Sequence, residues 1–146
     1  MNPAFVYLAQ TDTTAGFLSQ NTQALASLKQ RPASKPFLLS VDSLRTLSAF
    51  TRVPQKHRNK VRRASKTTFV YPCGLAIRVV KDKEHLAFLH KIRWSYSTSS
   101  NLSGKEFDED FAVANVDAIL FTSKGFFESS PSTIIRLGKS KMKKLR

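Results

Sequence analysis

The sequence predicts a mixed α/β (α+β) domain, a twisted open sheet with flanking helices. Three observations carry that expectation. Short apolar segments of strand length interleave with segments of helical period, without regular alternation or internal repeat. The 146 residues suit one domain, and 41% hydrophobic content with eleven Phe supports an ordinary core. Five Gly and six Pro exclude collagen-like or low-complexity character.

In chain order, Ala4–Leu8 reads as a short buried strand, followed by a polar Thr11-Asp12-Thr13-Thr14 turn and Gly16. Ala24, Leu25 and Leu28 repeat at helical spacing within Thr22–Gln30, with Asn21 or Thr22 placed to cap the start. Pro32 and Pro36 stop that helix, and Phe37–Val41 follows as a strand. Asp42 or Ser43 can cap a helix carrying Leu44, Leu47 and Phe50. Arg52–Lys66 holds seven Lys/Arg and one His without an acid. Pro54 suits a first helical turn there, but Val61 and Ala64 offer a thin apolar face, so a weakly held helix or mobile loop is expected. Thr67–Tyr71 and Leu75–Val80 are β-rich and flank a Pro72-Cys73-Gly74 turn. Asp82 can cap a helix facing Leu86, Leu89 and Ile92 to the core; Trp94–Thr98 is extended and runs into a polar Ser99–Gly104 loop. A short acidic helix around Phe107–Ala114 precedes strands at Ala118–Phe121 and Thr133–Leu137. The chain thus divides into a domain over residues 1–138 and a basic tail, Lys139–Arg146, expected to fray.

Composition narrows the function classes. One cysteine, Cys73, excludes an intramolecular disulfide and a Cys-based zinc site. His85 and His90 lie five residues apart and share no metal-binding helix face, so both, with His57, read as surface or boundary residues. No apolar run approaches the ~20 residues that span a bilayer, and the start lacks the order of a signal peptide. A cytoplasmic protein without a membrane partner is the expectation. The 24 Lys/Arg against ten Asp/Glu give a formal charge of +14, which favours polyanions such as nucleic acid or nucleotides. Neither a Walker A pattern nor GxGxxG is present to bind a nucleotide in the usual way.

Four polar clusters end elements of the fold: Thr11-Asp12-Thr13, Lys29-Gln30-Arg31 with Lys35, Ser97-Thr98-Ser99-Ser100-Asn101, and Ser132-Thr133. Hydroxyls and an amide supply neutral donors, and Lys and Arg supply charge, the chemistry that a phosphate or carboxylate requires. Singly, each reads as a turn, a cap or a helix-dipole partner.

Together and in this order the segments resemble a family. TDTTAGF resembles the Pro-Thr-Glu-Thr-x-Tyr-Gly-Leu opening of the YrdC/TsaC threonylcarbamoyl-AMP synthases. LKQRPASKPFLLSV is similar to their Lys-x-Arg-Pro-x-x-Lys-Pro-Leu segment, GLAIRVV to a strand ending Arg-Val-Pro, and STSSNLSG to Ala-Pro-Ser-Ala-Asn-Leu-Ser-Gly. PSTIIRL is similar to the late Ser-Thr-hydrophobic strand, so the resemblance spans about residues 4–137. It implies a twisted open sheet with a basic concave surface and an enzyme that joins L-threonine, bicarbonate and ATP into threonylcarbamoyl-adenylate, releasing pyrophosphate. The product serves tRNA modification, so tRNA or double-stranded RNA and other tRNA-modification proteins are implied partners, and Mg2+ is expected with ATP.

By motif position the resemblance assigns Lys29, Arg31, Ser99 and Asn101 to the ATP phosphates or the threonine carboxylate and carbamate. Thr11 and Thr13 would line the amino-acid end, Arg78 and Ser132 the nucleotide side, and Lys35 would add positive potential. Asp12 is a candidate metal ligand that equally suits backbone N–H groups. Departures exist: Gln10 for the Pro, Ala15 for the Tyr, Ser40 for a substrate-side His, Ser65-Lys66-Thr67-Thr68 for a Gly-Pro-x-Thr turn, and no leading helix before the first strand. A non-catalytic RNA- or nucleotide-binding relative is therefore the alternative; a carbamoyl-transfer module like that of hydrogenase maturation proteins ranks behind it. Arg52, Lys56, Arg58, Lys60, Arg62 and Arg63, with the tail, are the candidate RNA-backbone contacts, and Trp94 and Tyr96 the candidate stacking platforms.

Overall fold

The computed structural model describes residues 1–146 except Ala33 and Ser103. Those two positions of the Lys-x-Arg-Pro segment and of the Ser99–Gly104 loop lie outside the described residues. The elements run β1 (Tyr7–Gln10), β2 (Ala15–Ser19), α1 (Thr22–Lys29), β3 (Leu38–Val41), α2 (Leu44–Phe50), a 3-10 turn (Gln55–His57), α3 (Arg58–Arg63), β4 (Thr67–Val70), β5 (Ala76–Val79), α4 (Lys83–Ile92), β6 (Trp94–Ser99), α5 (Glu109–Ala114), β7 (Ala118–Leu120), β8 (Thr133–Leu137) and β9 (Met142–Lys144).

The strands form one mixed sheet in the order β7-β1-β2-β6-β3-β5-β4-β8-β9. β7–β1, β3–β5 and β4–β8 are parallel, and the other neighbours are antiparallel. Alternation along each strand sends side chains to opposite faces. On one face Leu8 and Phe17 pack with Leu25 of α1 and Ala112 of α5, while Leu39, Phe69, Ile77 and Ile135 pack with Leu47 of α2 and Val61 of α3. Tyr96 touches both groups and makes them one layer. On the other face α4 covers only the β1–β2 side, through Phe88, Leu89 and Ile92 against Tyr7, Ala9 and Leu18. Among the described residues no helix packs on that face over β5, β4 and β8, and the candidate site lies there.

Local chemistry sets the helix starts. Asn21, Ser43, Asp82 and Asp108 each cap a helix by accepting a backbone N–H three residues on. Four expectations are corrected. The first strand begins at Tyr7, because Asn2 accepts from the Ala4 and Phe5 amides and holds residues 2–5 in a turn. Ala15–Ser19, where the sequence marks only Gly16 after the Thr11–Thr14 turn, is a fully buried strand paired with β1 and β6. The basic run takes the helical form of the two expected, but it is not weakly held: Val61 is 3% exposed in the core, and buried His57 bonds through Nε2 to the Gly138 carbonyl at 3.1 Å. Lys139–Arg146 does not fray, since β9 pairs with β8.

Candidate functional site

Arg78 stands at the centre of the bare face. In β5 it alternates with the core residue Ile77, so its guanidinium rises opposite α2 and α3, and it is 5% exposed. Nε and Nη2 donate to Thr68 Oγ1 at 3.1 Å, Nη2 to Ser132 Oγ at 2.7 Å, and Nη1 to Asp12 Oδ1 at 2.5 Å. Burial pulls its proton affinity below the usual arginine range, and the Asp12 carboxylate opposes that pull. Asp12 is thereby engaged in an ion pair through Oδ1.

Around Arg78 a cavity of about 640 Å³ is lined by Thr11, Thr13, Arg31, Thr68, Ser97, Ser99, Asn101, Ser132 and Arg146, among others. Its floor is the sheet, and its rim consists of three turns. The first follows β1, where Thr11 Oγ1 donates to the Thr14 carbonyl at 2.7 Å. Gly16 closes this corner: a Cβ there would sit 3.1 Å from both Thr11 Cγ2 and the Thr98 carbonyl oxygen. The second is the segment before β8, tied by Ser129 N to Thr13 O at 2.7 Å and by Lys66 Nζ to the Ser129 and Ser130 hydroxyls. The third is the turn after β6, where Ser100 donates through N and Oγ to the Ala15 carbonyl.

The Lys-x-Arg pair splits at the end of α1. Gln30 adopts a left-handed backbone (φ 50°). Lys29 turns inward, 4% exposed, and its Nζ donates to the Ser99 carbonyl at 2.9 Å, the Asn101 carbonyl and Asn101 Oδ1 at 3.3 Å. Burial, then the neighbouring charges of Arg31 and Lys35, lowers its pKa to about 8. Arg31 turns outward, donates through Nη2 to the Lys35 and Pro36 carbonyls, and lies 3.9 Å over the Phe37 ring.

The structure therefore gathers Thr11, Thr13, Arg31, Arg78, Ser99, Asn101 and Ser132 around one cavity. Two assignments change. Lys29 does not line the cavity; its ammonium holds the 99–101 turn from behind. Lys35 is exposed and outside the lining. Arg52, Lys56, Arg58, Lys60, Arg62 and Arg63 lie on the helical layer, away from the cavity. Trp94 and Tyr96 pack against each other in the core layer, not beside the 99–101 turn as stacking platforms. Ser40 is 1% exposed and lies beside Arg78 in the β3–β5 register, and Ala15 packs in the core. His85, read as a surface or boundary residue, is 2% exposed, and burial lowers its pKa to about 4.

Sequence reasoning missed Arg146. Its Nε donates to the Ser132 carbonyl and its Nη2 to Ser132 Oγ, both at 3.1 Å, which adds a third guanidinium to the lining. The only local signal was the strand pattern hidden in a lysine-rich tail.

A half-covered mixed sheet with three arginines and several hydroxyls converging on its bare side defines an α/β domain with a basic cavity rich in hydrogen-bond donors. The Sua5/YciO/YrdC family model, described as telomere recombination, matches residues 9–146, and the chain belongs to that family. Solved structures agree on the fold. A double-alanine variant of P. abyssi Sua5 superposes with a TM-score of 0.83 at 20% identity, over 98% of this chain and 49% of that one. P. abyssi Sua5 complexed with L-threonine gives 0.82 at 20% identity, over 98% and 50%. E. coli YciO gives 0.76 at 21% identity, over 98% and 82%. The chain thus spans about half the length of the Sua5 structures it matches. A search of curated proteins found none that matches. Among the described residues, no helix is long and apolar enough to cross a membrane.

Proposed function

We propose that this chain is an ATP-dependent L-threonylcarbamoyladenylate synthase acting in tRNA threonylcarbamoyladenosine modification. The observation that carries the reading is the convergence of Arg31, Arg78 and Arg146 with Ser99, Asn101 and Ser132 on one cavity. Family membership and the L-threonine complex of a structural neighbour support it. In this reaction the threonine amine and bicarbonate give a carbamate and water. A carbamate oxygen then attacks the α-phosphorus of ATP, the bond to the β-phosphate oxygen breaks, and pyrophosphate leaves. Two anions must be held against each other while charge grows on the leaving group. That is a task of positioning and electrostatics, which fixed guanidinium and hydroxyl donors serve.

In this reading Arg78 and Arg146 take the nucleotide side, held in place by Ser132, and Arg31 reaches over from the α1 end. Ser99 and Asn101 supply neutral donors on a turn that Lys29 fixes. Thr11 and Thr13 border the amino-acid end. Among the described residues no three His, Cys, Asp or Glu side chains cluster to cage a metal. Mg2+ is expected to enter with ATP, on its phosphates, and no step here is assigned to a protein-bound ion.

The test is pyrophosphate release, expected only when ATP, L-threonine and bicarbonate are all present. Arg31→Ala or Asn101→Ala should abolish it with the fold retained; an unchanged rate would sink the site assignment. A second reading, a non-catalytic nucleotide- or RNA-binding relative, draws support from Ala15 and Ser40, which stand at the motif positions where the resemblance expects a Tyr and a His. Thermal unfolding separates the two: ATP at 100 times its dissociation constant should add about 2.7 kcal/mol. A further shift with threonine marks the synthase, and its absence marks the second reading.

A further inference from the structure

The charges that line the cavity are not all of one sign. Arg31, Arg78 and Arg146 face a single carboxylate among the described lining residues, that of Glu128. Asp12, paired with Arg78, is not part of the lining. The backbone on either side of Glu128 is tied down. The buried Gln10 side chain brackets residue 127, with Nε2 donating to the Phe127 carbonyl and Oε1 accepting from the Phe127 amide, each at 3.0 Å. On the other side, Ser129 N donates to the Thr13 carbonyl at 2.7 Å. Glu128 is therefore held beside the turn that follows β1, next to Thr13.

Two observations separate Glu128 from an ordinary surface acid. The first is that the fold does not use it. Asp12 and Asp42 pair with arginines, and Asp82 and Asp108 cap helices. Glu84, Glu109 and Asp110 occupy first turns, and Asp117 Oδ2 accepts from the Val6 amide at 2.8 Å. Only Glu106 and Glu128 are left, and among the described residues no ion pair engages either side chain. The second observation is where these two acids lie. A cavity of about 430 Å³ adjoins the main one, sharing Thr14, Phe107 and Glu128 with it, and Glu106, Phe126 and Phe127 line its far side. Phe107 and Phe126 meet edge to face at 6.3 Å. Carboxylates among aromatic rings suit an ammonium group, through ion pairing and through the ring quadrupole.

We propose that Glu128 is the specificity-determining residue by which the cavity selects an amino acid, its carboxylate taking the ligand's ammonium where the two cavities meet. The inference rests on the reading of the main cavity as an amino-acid and nucleotide site. Three guanidiniums alone would hold any small anion. A carboxylate beside Thr13 favours an anion that also carries a positive charge a few atoms away. It also works against a dicarboxylate, whose second charge would meet one of its own sign. Glu128 acts on the amino acid as it arrives: once the nitrogen has become a carbamate it is no longer positive, and the contact is given up before the attack on phosphorus.

Isothermal titration of the full chain, with a non-hydrolysable ATP analogue present, tests this without turnover. The probes are L-threonine and 3-hydroxybutyrate, which is threonine without its amine. The wild type should prefer threonine. Glu128→Gln, which keeps the size of an exposed side chain and removes its charge, should weaken threonine roughly tenfold. It should not weaken 3-hydroxybutyrate or the ATP analogue, so the preference for the amine collapses. Glu106→Gln, whose carboxylate lines only the smaller cavity, should cost less than Glu128→Gln. A wild-type preference in Glu128→Gln would overturn the inference alone, as would an equal or larger loss in Glu106→Gln. Threonine binding that depends on Glu128 without any pyrophosphate release would sustain the inference and remove the synthase reading. A wild type that binds no threonine would overturn both.

Discussion

The two ends of the sheet handle charge in opposite ways. Residues 1–42 and 82–128 carry eight Lys/Arg and all ten Asp/Glu, and most of those acids have local work. Asp82 and Asp108 cap α4 and α5, while Glu84, Glu109 and Asp110 occupy first turns, where the helix dipole favours them. In the half that ends in β9, α2 and α3 have no acid in their first turns. On one side most acids cap or open helices or pair with a cation, and on the other the exposed cations have no acidic partner among the described residues. The Asp12–Arg78 pair is the seam, joining the turn after β1 to β5 and, through Thr68 and Ser132, to β4 and β8.

The comparison breaks most sharply at that seam. Arg78→Met should destabilise the protein by about 3–5 kcal/mol in urea unfolding, because Asp12 is left partly buried without its cation. The double variant Arg78→Met/Asp12→Asn should recover part of the loss. Equal stability of the single and double variants would show that the seam is not held by charge. Next in size is Lys29→Met, with an expected loss of about 1–3 kcal/mol as the Ser99 and Asn101 carbonyls lose their donor. Lys29 titrates near 8 in the fold against 10.5 ordinarily, so the unfolded chain binds more protons between those values. Its contribution therefore makes stability rise with pH across that window, and Lys29→Met should flatten the rise.

Asp42 gives a smaller effect on the acid-bearing side. Burial acts to raise its pKa, but hydrogen bonds from Thr46 and Ser43 and the Arg93 charge win, and it lies below the ordinary 3.8. The stability it contributes is present above that value and lost as pH falls below it. Asp42→Asn should remove that acid dependence from the unfolding curve. The smallest change belongs to His90→Ala, within about 0.5 kcal/mol, because the imidazole is 59% exposed and its Asp42 contact is 3.5 Å.

Much of the framework was legible because its signals are local. Asn21, Ser43 and Asp82 sit where short polar side chains cap helices, and Pro72-Cys73-Gly74 turns where Gly74 takes φ 91°. β2 escaped notice because Ala-Gly-Phe-Leu-Ser looks too small-sided for a strand. Its glycine is required by the approach of Thr11 and Thr98, which only the assembled sheet reveals. β9 escaped because Met-Lys-Lys reads as solvated tail, although lysine is what blunts an exposed sheet edge. His57 and His85 looked superficial because nothing adjacent in sequence announces the elements that bury them. At the site, residue identities followed from the ordered motifs. Which cation faces the cavity and which faces the protein did not, and Arg146 came into view only with β9.

That last distinction rests on a single peptide. The left-handed turn at Gln30 acts as a sorter, sending two cations in adjacent sequence to opposite duties, one wired into the scaffold and one offered outward. Left-handed backbone at a residue with a Cβ carries a cost of roughly 1–2 kcal/mol. The motif's middle position, chemically silent in any list of donors and acceptors, is therefore where the direction of the charge is decided. Exchanging the two cations would preserve composition and formal charge, yet place an arginine's planar fork behind the 99–101 turn, where a lysine's compact ammonium now meets two carbonyls.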